Sequence, residues 1–373
     1  MTVDWEQLET ELGADMVSAI RHLSSDEKDV RSLALNDLFD LSWHQGSLLW
    51  RAAFAVPFLI EHLQRESEED LLYRILIDLA HIGTGTSFCD LRKDSSLYAS
   101  TRNTPEFQEQ MEEELYWMEK TYEAVYKGVD VYLNLLEHDA PKARIGAAYT
   151  LSCCKADAAR ICDRMRDRFH KESEEMVKAT LPLSLAILSN NTPLEPAFFE
   201  EVLDANSSRD IVKLSAAIAL AYIPGTNMSE NARQTLVHLI EKPDLFVRLC
   251  NHYENHMATA HNLIVSDFLW RLNDEQMAHI IPVLAQKVEE LPYGYKTLIE
   301  LAFQDNKLQE GITIHELTES QQFVLRAIAN DDRLWKLSNY FISSILKDLG
   351  IKGSPLREKL IRFLNGDTLH YDP

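Results

Sequence analysis

The chain has 373 residues, 46% of them hydrophobic, and carries a formal net charge of −22. That length can bury a sizeable core, and that charge argues against function classes whose affinity comes from neutralising phosphate, nucleic-acid and anionic-membrane binders alike. Apolar runs such as LPLSLAIL (181–188) fall well short of the ~18 residues a membrane helix needs, and the acidic start MTVDWEQLETEL has no secretory apolar stretch, so a cytoplasmic protein is expected.

Residues 4–24 place Trp5, Leu8, Leu12, Met16, Ile20 and Leu23 at helical spacing and predict one or two amphipathic helices, an N-terminal cap over 1–25. A clear helix follows over 27–42, DVRSLALNDLFDL, then the short loop Ser42, Trp43, His44, Gln45, Gly46 and Ser47. LLWRAAFAVPFLIEHLQ predicts a second helix, with Pro57 set to kink it or mark its first turn. EEDLLYRILIDLAHIG starts another pair. Its rhythm breaks at 83–105, a polar stretch rich in Ser and Thr that reads as an insertion. The partner helix is expected from about Glu106 to Glu137, interrupted near Gly128, its first part an acidic extension.

From 141 the pattern is regular. First helices are expected near 141–154, 174–189, 209–223 and 245–256, and second helices near 157–170, 195–206, 229–241 and 259–272. Arg144, Lys178 and Lys213 head three copies of one phrase, spaced 178 − 144 = 34 and 213 − 178 = 35 residues apart. Three residues on stand Ala147, Leu181 and Ala216, and seven residues on Leu151, Leu185 and Leu220. Arg31, with Ala34 and Leu38, belongs to the same set, and Arg248 begins a weaker copy. A period of this size marks stacked supersecondary units. Repeats are thus assigned to 26–272 and C-terminal helical repeats or a cap to 273–373, all in one continuous solenoid. Late helices are expected near 294–304, 318–330, 333–349 and 355–364, with 306–317 irregular.

The phrase D/E-x-V-R/K-x-x-A-x-x-x-L, followed by a helix reading A-V-P-x-L, resembles HEAT repeats, and more closely the short repeats of phycobilin lyases. WHQG and AVPFL are similar to a bacterial group of HEAT-like proteins. The resemblance implies an all-α fold, a right-handed α-solenoid of stacked antiparallel helix pairs with helical caps, that binds other proteins. It carries over no catalytic residue.

The basic ladder Arg31, Arg144, Lys178, Lys213 and Arg248 could line a groove for an acidic ligand, or pair with neighbouring acids such as Asp29, Glu175 and Asp210. Of His252, His256 and His261, the first two stand four residues apart on one helix face but lack the Glu of a zinc-protease motif, and GTGTS at 83–87 lacks the Lys of a phosphate loop. Cys89, Cys153, Cys154, Cys162 and Cys250 form no C-x-x-C pair and read as reduced thiols. No metal, cofactor or catalytic residue is expected. Equivalent loops of adjacent repeats share an edge of a solenoid, so Trp43, His44 and Gln45 are expected beside Asp90, Arg92, Lys93 and Tyr98 as a binding patch. The competing reading is that Trp43 packs under the long loop and staples it. The expected function is a non-catalytic protein–protein interaction module, a scaffold or adaptor with a basic protein as partner. Two alternatives stay open: a toxin-neutralising immunity-type protein, and a lyase-like or other small-ligand enzyme on a HEAT-like stack.

Overall fold

The computed structural model describes residues 4–44, 46–93, 100–188, 196–205, 208–222, 229–240, 242, 244, 274–286, 288, 294–304, 306–337 and 339–370. The protein is all-α in class, mostly helical with almost no strand. The chain divides into two compact units, Met1–Ala197 with His256–His261, and Phe198–Asn255 with Asn262–Pro373.

The first unit opens with α1 (Trp5–Leu12) and α2 (Ala14–His22), separated at Gly13, so the N-terminal stretch is two helices. Asp4 caps α1 by accepting the Gln7 amide. The helices α3 (Lys28–Asp40), α4 (Ala52–Leu63), α5 (Glu69–Thr84) and α7 (Pro105–Tyr126) follow, with the short α6 (Phe88–Arg92) inside the expected insertion. α8 (Val129–Leu135) continues after the expected break at Gly128. α9 (Pro141–Ser152), α10 (Ala158–Lys171) and α11 (Glu175–Leu188) complete the unit. Pro57 and Pro182 both lie inside their helices.

Successive first helices touch in a row: α3 packs on α5, α5 on α9 and α9 on α11, while α4 packs on α7. Ala34, Ala147, Leu38, Leu151, Leu181 and Leu185, the slot residues of the repeated phrase, are all buried. α5 and α9 meet at Gly146, where a Cβ would lie 2.8 Å from Leu76 Cβ. Thr150 Oγ1 donates to the Leu76 carbonyl at 2.8 Å one turn further on. A side chain at 146 would hold these backbones apart and break that bond.

The ladder arginines do not line a groove. Arg31 Nε and Nη2 donate to Glu66 at 2.8 and 3.1 Å, and its Nη1 donates to the carbonyls of Ser25 and Asp26. Arg144 repeats the pattern: Nε and Nη2 donate to Glu172 at 2.8 and 3.0 Å, and Nη1 to the carbonyls of His138 and Asp139. Each guanidinium thus ties the loop before its own helix to a glutamate after the second helix. That glutamate in turn accepts two backbone amides, Ser67 and Glu68 in one case, Ser173 and Glu174 in the other. The partners are therefore Glu66 and Glu172, in place of the expected Asp29 and Glu175. Both stand in the repeated run E-S-E-E, at 66–69 and 172–175. Lys178 lies over the Phe169 ring at 4.8 Å. Arg248 is outside the described residues.

In the second unit, α12 (Ala197–Asp204), α13 (Asp210–Tyr222) and α14 (Glu230–Ile240) follow the expected rhythm. Ala216 and Leu220 are fully buried. Ser229 Oγ donates to Glu200 and accepts the Ala232 amide, which both starts α14 and ties it to α12. Asp210 pairs with Lys242 at 2.6 Å. The expected helices over 245–256 and 259–272, with His252, His256, His261 and Cys250, lie outside the described residues. Helices Asp274–Ala285, Tyr295–Phe303, Glu319–Asn330 and Leu356–Leu364 pack on one another, and the expected helix over 333–349 is two, Asp332–Leu337 and Asn339–Leu349. The irregular 306–317 is stitched down: Leu308 N donates to the Leu349 carbonyl and Gly311 N to the Leu369 carbonyl.

Candidate functional site

The two loops expected to share an edge do share it. Trp43–His44 and Ser47–Leu48 form a minimal antiparallel ribbon, β1 and β2. The ribbon is sewn to the start of the insertion: Leu48 N donates to the Thr86 carbonyl, and Thr86 N donates to the Gly46 carbonyl, each at 2.9 Å. A small pairing element inside an all-α chain was not legible in SWHQGS. Gly85 permits this approach, since a Cβ there would lie 2.7 Å from Leu48 Cγ and 3.3 Å from Trp43 Cδ1.

The structure brings only part of the expected patch to the surface. The Trp43 ring is half-buried, stacked on Phe39 at 5.1 Å and tilted against His81 at 5.4 Å. His44 is exposed. Arg92 joins the edge, with Nη1 3.5 Å from Ser47 Oγ and its guanidinium 3.9 Å over the Phe88 ring. Asp90 is paired with Lys93 at 2.8 Å. Gln45 and Tyr98 lie outside the described residues.

A polar knot holds the insertion to α7. Ser87 Oγ and the Cys89 amide donate to Glu114 Oε2 at 2.7 and 2.9 Å, and Gln110 donates to Oε1 at 2.8 Å. Burial, with the Glu114 carboxylate beside it, pushes the Cys89 thiol up to about 11. Burial pushes Cys153 up to about 12, and raises Cys154 and Cys162 as well. These four thiols stay protonated near neutral pH, which suits packing and hydrogen bonding rather than nucleophilic attack.

α5 carries a titratable group that the sequence reading passed over. Asp78, only 3% exposed, is pushed up to about 7 by burial; Arg74, bonded to it at 2.8 Å, opposes the shift and nearby Asp40 adds to it. Its position inside an apolar helical run, RILIDLAHI, was the available signal.

An aromatic surface next to this edge was also passed over. Trp50, just before α4, meets Phe54 at 5.9 Å and Trp117 at 5.9 Å; Phe54 meets Trp117 at 5.5 Å, and Tyr116 meets Trp117 at 5.2 Å. Trp50 is 38% exposed, Leu49 38% and Tyr116 52%. α4 supplies one side of this surface because Trp50 and Phe54 are four residues apart, and α7 supplies the other through the Tyr-Trp pair in EEELYWMEK. Reading that stretch as an acidic extension hid the two rings.

Among the described residues, no group of His, Cys, Asp and Glu could hold a metal ion, and no helix is long and apolar enough to cross a membrane. No family model matches the chain, and no curated protein matches it. A solved structure described as an engineered protein aligns over 96% of this chain and 90% of its own at 17% identity, with a TM-score of 0.26, too low for the likeness to carry any argument.

Proposed function

We propose that this chain is a HEAT-like α-solenoid acting as a non-catalytic module that binds other proteins. The solenoid reading is supported by the row α3, α5, α9 and α11, and by the identical arginine clamps of Arg31 and Arg144. The observation that carries the functional reading is the ring cluster of exposed Trp50 and Tyr116 with half-buried Phe54 and Trp117, beside exposed Leu49. Binding energy at protein interfaces concentrates in Trp, Tyr and Arg, and a contiguous exposed apolar patch marks an interaction site. The net charge of −22 favours fast association with a basic partner.

The test is affinity capture from native cytosol with wild-type bait and a Trp50→Ala/Tyr116→Ala bait in parallel. A protein captured at stoichiometric ratio is the expected result. A bound small or coloured molecule with no protein partner would instead support the enzyme alternative and sink the module.

A further inference from the structure

We propose that the aromatic surface of α4 and α7 docks a lysine- and arginine-rich segment of the partner; this rests on the interaction-module reading. α7 carries seven glutamates against one lysine. Two of the glutamates are committed, Glu114 to Ser87 and Cys89, and Glu123 to Lys120. The other five, Glu106, Glu109, Glu112, Glu113 and Glu119, are exposed and make no ion pair or hydrogen bond among the described residues. Helical geometry puts Glu112, Glu113 and Glu119 three or four positions from Tyr116, so free carboxylates rim the rings.

The rings already engage cations. The Arg51 guanidinium sits 5.6 Å from the Trp50 ring centroid, and the Lys120 ammonium 5.8 Å from that of Tyr116. An incoming Lys or Arg finds both attractive elements together, a π face for its charge and apolar stem, and a carboxylate at hydrogen-bond reach. An acidic segment would instead meet the like charges of Glu112, Glu113 and Glu119. A second copy of this chain, itself at −22, meets the same repulsion. Charge complementarity therefore selects a basic segment as the occupant.

The experiment is fluorescence anisotropy with a fluorescein-labelled Arg-Gly repeat peptide, and a Glu-Gly repeat as control, at near-physiological salt. Trp50→Ala and Tyr116→Ala are each expected to weaken the Arg-Gly peptide about tenfold. Glu112→Gln with Glu113→Gln should weaken it severalfold. Asp163→Asn with Asp167→Asn, exposed positions on α10, which packs on α11, removes equal charge and should change it less than about twofold. Circular dichroism checks that each variant folds, and the glutamine pair tests the surface without touching packing. An equal loss from the α10 pair, an unchanged affinity in Trp50→Ala, or equal binding of the Glu-Gly peptide would overturn the proposal. So would a concentration-dependent dimer, seen by sedimentation, that Trp50→Ala abolishes. If the captured protein still binds the Trp50→Ala/Tyr116→Ala bait, the docking site falls and the module reading stands. If neither bait captures a protein, the module reading falls.

Discussion

Replacing Arg144 by Met tests whether the repeated arginine is a structural clamp. Arg144 and Glu172 are 5% and 4% exposed. The substitution removes four hydrogen bonds, to Glu172 at 2.8 and 3.0 Å and to the His138 and Asp139 carbonyls at 2.8 and 2.7 Å. Breaking a buried ion pair by deleting one partner costs about 3–5 kcal/mol. Glu172 keeps Arg168 at 3.0 Å and the amides of Ser173 and Glu174, so its carboxylate is not left bare. That places the loss at the low end, about 3 kcal/mol. A cycle with Glu172→Met should give a coupling of about 2 kcal/mol, because both charges then leave together. Burial raises the Glu172 carboxyl, but the Arg144 bonds, the backbone amide and the Arg168 charge outweigh it and hold it below the usual range. The folded state therefore binds fewer protons than the unfolded chain near that range, so this contribution is present above it and lost as pH falls through the depressed value. The assay is urea unfolding of the four chains of the cycle. Hydrogen exchange over 138–176 should locate the weakening. A loss under about 1 kcal/mol with no coupling would mean that the pair is screened like a surface contact, and the clamp would be refuted.

Asp78 should give the opposite pH trend. Burial keeps it protonated up to about 7, so the folded state holds a proton the unfolded chain releases, and stability falls as pH rises towards neutrality; Asp78→Asn should flatten that decline, read as urea midpoints at pH 5 and pH 8. Ala147→Phe and Ala216→Phe insert a ring where no space exists and should each cost about 1–3 kcal/mol by urea unfolding. With Cys250 replaced by Ser, the remaining four thiols should react with a disulfide reagent only slowly before denaturant is added; fast labelling of Cys89 would contradict its raised pKa. Gly85→Val should collide with Leu48 and free the ribbon, detected as faster amide exchange at Leu48 and Thr86.

What could be read from the sequence and what could not divide by the range of the interaction. The apolar period is local: Ala147, Leu151 and Ala216 signal burial within one helical turn or two, and every one of these slots is filled as the pattern demands. α7 ends at Tyr126 and α8 starts after Gly128, where the pattern breaks, and Ser229 opens α14, for equally local reasons. The clamps are not local. Arg144 finds its carboxylate 28 residues on and Arg31 finds it 35 residues on, so nearer acids such as Asp29 drew the expectation. The repeated E-S-E-E run carried the missing information, because a glutamate that turns back to two following amides is oriented for a cation from the preceding pair. The candidate site shows the same division. Adjacency of the 42–47 and 83–105 loops follows from helix pairing, and the hydrogen bonds of Leu48 and Thr86 bear it out. Which aromatic faces solvent depends on what lies across from it. Trp43 meets Phe39 and His81 and is half-covered, whereas Trp50 and Tyr116 meet other rings edge-on and keep area free. A tryptophan in a polar loop was thus the weaker candidate, and a Tyr-Trp pair in an acidic helix the stronger. Within α7 the Trp117 ring is accounted for by Trp50 and Phe54 across from it, whereas Tyr116 keeps half its area free, which is why the proposed docking site is centred there.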